Sequence, residues 1–236
     1  MNELSTVAIV YVVYAASFLV MAVALVVLWR RTARAGVLAS FLLLAAFALA
    51  HGVADAIDGY LRVIGSSPMV PGTLQAARLV LLAVSFLILL VFGVTLLISE
   101  PRHARVTLWL GVIAVVGLAG TLVSMYLNRP SIATITAIDA GVRHLIAFPG
   151  SLVAGVGLAR LAVRSRRVGL EWFARYALLA AVGLIVYGVL AGLLTTGYPE
   201  PRTLLGLPIQ VHRMAAAVLI AIGSVNMLLS LRSGSE

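Results

Sequence analysis

LVLLAVSFLILLVFGVTLLIS, residues 79–99, is a run of 21 residues without one charge. An α-helix needs about 20 consecutive apolar residues, at roughly 1.5 Å each, to cross a hydrocarbon core about 30 Å thick. This segment is therefore a transmembrane helix rather than a buried helix of a soluble domain. Working outward, the same reading repeats. Leu4–Trp29 is uncharged, and so is Ala35–Ala54, whose helical pattern runs on to about Arg62. Val106–Asn128, Ile135–Ala159, Tyr176–Thr196 and Leu204–Leu231 complete the series. The expected fold is all-α: a single domain over residues 1–236, an integral membrane bundle of seven transmembrane helices.

Composition agrees. Hydrophobic residues make up 62% of the 236-residue chain and charged residues 11%, against roughly 25% charged in a soluble domain. The net charge of +9 comes wholly from arginine, since there is no lysine. Without a lysine amine, a retinal Schiff base is excluded. Without cysteine, disulfides, iron–sulfur clusters and thiol chemistry are excluded too. The start, Met-Asn-Glu-Leu, has no basic segment, and the first apolar run is too long for a signal peptide, so it reads as a retained helix.

The arginines cluster in alternate loops, which is a topology signal rather than a nucleic-acid footprint. Arg30, Arg31 and Arg34 follow the first span, Arg102 and Arg105 the third, and Arg160, Arg164, Arg166, Arg167 and Arg175 surround the turn after the fifth. The other side carries only Arg62, Arg78, Arg129 and Arg202. The N-terminus is expected outside and the C-terminus in the cytoplasm, in a multi-pass protein of a bacterial-type inner (plasma) membrane. The outer loops are short and hold Pro68, Pro71, Pro130, Pro199 and Pro201. Any ligand must be small or arrive through the bilayer.

Ionisable groups at membrane depth are costly and mark sites by default. His51, Asp55, Asp58 and Arg62 follow one another at spacings of 4, 3 and 4, within an arc of roughly 60° on one helix face. Arg78 opens the third span from the same side. Asp139 and Arg143 share a face of the fifth, and Gln210 and Arg213 share one of the seventh. All are expected in the outer half of the bilayer. Asp58, Arg62, Arg78 and Asp139 read as ion pairs fixing helix register. His51, Asp55, Arg143, Gln210 and Arg213 read as a pocket for a small ligand, ion or proton.

His51, His144 and His212 lie at matching depth, so a haem iron (two ligands) or a transition metal such as zinc or copper (three) is an alternative. Against it, His144 sits about 100° round the helix from Arg143. No cofactor is otherwise expected. No nucleophile–base set can be assembled, which argues against an enzyme. Gly188 and Gly192, and Gly117 and Gly120, suggest close helix packing or a homodimer face. Pro149 predicts a kink in the fifth span.

Ala46–Tyr60, AFALAHGVADAIDGY, resembles the second helix of the seven-transmembrane N-terminal sensor region of bacterial membrane histidine kinases and diguanylate cyclases. His51, Gly52 and Asp55 match its His-Gly and acidic pattern, while Ala56 replaces an aromatic residue. The third span is similar through Ser85-Phe86 and Phe92-Gly93, the fifth through Arg143 and FPGSLVAGVGL. GLPIQVHRM resembles the family's Gly-x-Pro-x-Gln-x-x-Arg on Gly206, Pro208, Gln210 and Arg213. His144 and His212 stand where that family carries aromatic residues. The resemblance implies a receptor-like module relaying a signal to a cytoplasmic output domain. This chain ends before any such domain, so it reads either as a shortened sensor or as a relative signalling through a cytoplasmic partner.

Overall fold

The computed structural model describes residues 3–32, 39–64, 72–98, 132–194 and 203–231, together with residues 109, 111, 117 and 120. It is almost entirely helical. In chain order the elements are α1 (Glu3–Thr32), α2 (Ala39–Ile64), α3 (Gly72–Leu97), α4 (Ile132–Val142), a π turn (Arg143–Ala147) and α5 (Phe148–Arg167). They are followed by α6 (Glu171–Gly188), a second π turn (Val189–Leu193), a short hairpin and α7 (Ile209–Ser230). Helix α4, its π turn and α5 form one rod. Six helices among the described residues are long and apolar enough to cross a membrane. The predicted span Val106–Asn128 lies outside the described residues, except that 109, 111, 117 and 120 are helical.

Each helix packs on the next around a closed ring: α1 on α2, α2 on α3, α3 on α5, α5 on α6, α6 on α7, and α7 back on α1. The interior is filled by aromatic and large aliphatic side chains, with Phe18, Met21, Phe41, Leu44, Phe47, Phe86 and Phe92 fully buried. The outside is apolar too. Val12, Val23, Val156 and Leu178 are at least half exposed, a surface that suits lipid and not water.

Helix ends differ from the predicted ones in instructive ways. The last helix starts at Ile209 rather than Leu204, because Thr203–Leu204 and Leu207–Pro208 pair as an antiparallel hairpin. Its two turn residues, Leu205 and Gly206, both have positive φ (52° and 76°), as tight two-residue hairpins require. Pro208 then holds an extended ψ of 138° and starts the helix behind it.

The irregularity expected at Pro149 takes the form of the first π turn. Phe148 N–H donates to Arg143 O, five residues back. A proline lacks the N–H and crowds the preceding turn, and widening that turn relieves both problems.

Glycines set the closest helix approaches. A Cβ on Gly192 would come within 2.6–2.8 Å of Phe148, and one on Gly188 within 2.7 Å of the Ser151 Cβ. The Gly188/Gly192 face is thus occupied within the chain, by α5, and is not free as a dimer face. A Cβ on Gly117 or Gly120 would meet nothing within 4 Å among the described residues.

Candidate functional site

Helices α1, α2 and α3 alternate in direction, the α4–α5 rod starts from the same end as α3, and α6 and α7 alternate again, so the first turns of α1, α3, α4 and α7 and the last turns of α2 and α6 lie at one end of the bundle. Every buried charge singled out in the sequence is at that end. There they sort into two connected groups.

The first is a chain of ion pairs. Arg62 Nε and the Tyr11 hydroxyl donate to Asp58 Oδ2 at 3.3 and 2.9 Å. Arg78 joins Asp58 at 3.4 Å to Asp139 at 3.1 Å. Arg143 Nε donates to the other Asp139 oxygen at 2.8 Å. Three helices are tied through Asp58, Arg78 and Asp139, and each acid serves at least two bases. The chain ends on the backbone, where Arg143 Nη1 donates to Ala191 O at 3.3 Å.

Arg213, 4% exposed, makes no carboxylate contact among the described residues. Its Nε and Nη2 donate to Leu190 O at 2.8 Å and Leu194 O at 2.6 Å. Those carbonyls belong to the second π turn, where Leu194 N–H reaches back to Val189 O. A five-residue register leaves backbone acceptors that an α-helix would have used, and two arginines from different helices take them.

The second group centres on His51, which is fully buried. Phe18, Phe86, Phe47 and Tyr187 surround its ring, with centroids 4.8–5.6 Å away. Both nitrogens are engaged: Nδ1 lies 2.8 Å from Ser85 Oγ and Nε2 2.5 Å from the Tyr187 hydroxyl. Proton positions follow from counting donors. Ser85 Oγ gives its one hydrogen to Leu82 O at 2.7 Å, so it must accept from His51 Nδ1–H. Nε2 is then the acceptor and Tyr187 its donor. Tyr187, having spent its hydrogen, accepts from the Tyr14 hydroxyl, with which it is paired. The order Tyr14, Tyr187, His51, Ser85, Leu82 O is a one-way relay.

Asp55 stands beside this relay. Its Oδ2 is 3.6 Å from His51 Nε2, beyond hydrogen-bond range, and has no hydrogen-bond partner among the described residues. Gln210 Oε1 is likewise buried without a partner among those residues.

The five predicted pocket residues therefore divide. His51 and Asp55 come together, Arg143 belongs to the ion-pair chain, Arg213 holds the π turn, and Gln210 is buried in the first turn of α7. The three histidines do not converge. His144 is exposed, with Nδ1 donating to Ala140 O at 2.7 Å, and His212 is part-exposed, with Nδ1 3.4 Å from Pro208 O. No group of three metal-ligating side chains occurs among the described residues. The first π turn buries Arg143 and turns His144 and Leu145 outward, as helical geometry required.

Sequence reading missed Tyr14 and Tyr187, and met Ser85 only in the Ser85-Phe86 pair of the resemblance, with no role assigned. For the tyrosines the available signal was a hydroxyl inside an apolar run, near the depth of His51. Comparison with models of protein families, with curated proteins and with solved structures finds no match.

Proposed function

We propose that the chain is a membrane sensor module whose input is a proton, taken up by the His51–Asp55 pair from the outer side and relayed to a cytoplasmic output or partner. One observation carries this reading: the unpartnered Asp55 oxygen beside an imidazole whose facing nitrogen is an acceptor. A proton added at Nε2 turns that nitrogen into a donor. It then has Asp55 Oδ2 as a ready acceptor, and the Tyr187 hydroxyl must turn away. Protonation thus favours a second arrangement, in which Asp55 Oδ2 closes the 3.6 Å gap to Nε2 and Tyr187 is released, which is what a two-state switch needs. A larger ligand is disfavoured here, because the ring is fully buried among four aromatic side chains. The output is the second π turn. Tyr187 precedes it by two residues, and both Arg143 and Arg213 grip its carbonyls.

The test is amide hydrogen exchange over residues 187–194 of the protein in nanodiscs, across the pH range in which histidines titrate. Protection, taken relative to the intrinsic exchange rate at each pH, should change with pH in the wild type and be flat in Asp55→Asn and His51→Gln. A wild-type segment indifferent to pH, or an Asp55→Asn protein that still responds, overturns the reading.

The proposal includes seven spans with an outer N-terminus, and the same framework supports it. Arg78, at the start of α3, contacts Asp139 in α4, so those two helices run in the same direction. That shared direction supports a further crossing between residues 98 and 132, for which Val106–Asn128 has the length. Arginine clustering puts the polar end outside, and a bacterial inner membrane fits that pattern. Because the chain has no cysteine, single cysteines report topology directly. Leu205→Cys should be labelled by an impermeant maleimide only from outside, and Val168→Cys only from inside. The reverse pattern would invert the proposed sensor.

A further inference from the structure

At the opposite end of the bundle, α5 and α6 are joined by a tight turn at Val168–Leu170. Leu170 N–H donates to Ser165 O and Gly169 N–H to Arg166 O, at 3.0 and 3.2 Å. Gly169 has φ +83°. This is a Schellman cap, which satisfies the last carbonyls of α5 with backbone donors. Arginines at a helix end often cap those carbonyls; here the cap leaves Arg166 and Arg167 to point elsewhere. The turn fixes the cleft between the two helices, which contains a cavity of about 160 Å³.

The cavity is polar at one end and apolar at the other. Arg166, Arg175 and Glu171 line it near the turn, while Ala162, Val163 and Leu178 line it toward the bilayer. Val163 and Leu178 are 55% and 50% exposed, so the apolar side opens laterally. Arg175 holds Glu171 only loosely, at 3.8 Å and with both side chains more than half exposed. Its guanidinium sits over the Trp172 ring at 4.7 Å, and Trp172 stacks on Tyr176. Exposed Trp and Tyr at a helix end mark the headgroup level of a bilayer.

We propose that this cleft seats one anionic phospholipid, with its phosphate between Arg166 and Arg175 and an acyl chain running over Val163 and Leu178. The volume suits a single phosphate group and falls short of the ~300 Å³ at which drug-sized pockets begin. Two cations facing one carboxylate leave the polar end positive, and the lateral apolar opening is what a lipid needs and a soluble anion does not. The site is independent of the His51 relay and stands whether or not that relay senses protons.

The experiment is native mass spectrometry of the intact protein from detergent. It is supplied with equal phosphatidylglycerol and phosphatidylcholine of the same acyl chains. At about 1 kcal/mol for each basic residue near an anionic headgroup, the two arginines should give phosphatidylglycerol roughly a 25-fold preference. Arg166→Gln with Arg175→Gln should bring it close to parity. Arg167→Gln, outside the cavity, should leave it unchanged, and Glu171→Gln should raise it. Equal retention of both lipids by the wild type overturns the proposal. So does a preference that survives the double substitution, which would place it on the general basic surface, and so does displacement of the lipid by millimolar inorganic phosphate.

Discussion

Replacing Asp139 by alanine is expected to lower the thermal midpoint of the detergent-solubilised protein by roughly 6–12 °C. Asp139 is the junction of the ion-pair chain, accepting from Arg78 through Oδ1 and from Arg143 through Oδ2. Removing it leaves two guanidiniums short of a counter-charge in the bundle. Breaking a buried pair by deleting one partner costs about 3–5 kcal/mol. The low end applies, because Arg78 keeps Asp58 and Arg143 keeps Ala191 O. About 3 kcal/mol at roughly 2–4 °C per kcal/mol for a chain of this size gives the stated shift. Asp139→Asn, which retains one good acceptor, should lose about half as much. In the double substitution Asp139→Ala with Arg143→Met, the loss should be smaller than the sum of the singles by more than about 1 kcal/mol, since the two share one interaction. A midpoint within about 2 °C of wild type for Asp139→Ala would mean that the chain of pairs carries little stability.

The contrast between Asp139 and Tyr187 explains what could be read from the sequence. A charge inside an apolar run is costly wherever it points, so Asp55, Asp139, Arg143 and Arg213 stood out without knowledge of any neighbour. Their shared end of the bundle followed from counting alternating spans. A tyrosine or serine in such a run costs little, and nothing local distinguishes a lipid-facing hydroxyl from one that meets a histidine 136 positions away, as Tyr187 does. The π turns were hidden for a related reason. Pro149 pointed to trouble near the first, but the second has no proline. Arg143 and Arg213 take carbonyls at that turn, and those arginines come from outside its helix. The hairpin at Thr203–Pro208 was absorbed into the predicted last span, since Leu204 and Leu207 look like any apolar helix residues until Gly206 and Pro208 are given their backbone angles.

The tightest approach of a glycine to another helix's backbone, among the described residues, leads to the second large effect. Gly93 on α3 meets the backbone of α5: a Cβ there would lie 2.6 Å from both the Ala154 Cα and the Val153 carbonyl carbon, and closer still to the Ala154 nitrogen. None of these atoms belongs to a side chain that can swing aside, so Gly93→Ala must push two helices apart. The separation is not local. Gly157 and Gly150 seat the same pair of helices, and a Cβ on either would lie 3.0 Å from a carbonyl oxygen of α3, Gly93 O for the first and Phe86 O for the second. Phe86 in turn packs on His51. Overpacking commonly costs about 1–3 kcal/mol. A backbone-to-backbone clash belongs at the top of that range, because small-residue contacts replace the hydrophobic effect as the source of helix association in lipid. Gly93→Ala should therefore lower the thermal midpoint by roughly 6–12 °C and loosen exchange protection around Ser85 and His51 together. Gly141→Ala is the matched control. Its added methyl would meet nothing within 4 Å among the described residues, so exchanging a glycine for the better helix former should be neutral or stabilising by up to about 1 kcal/mol. If the two alanine variants melt alike, α3 and α5 do not approach as closely as their glycines allow, and the ring that holds His51 against Ser85 is wider than its contacts imply.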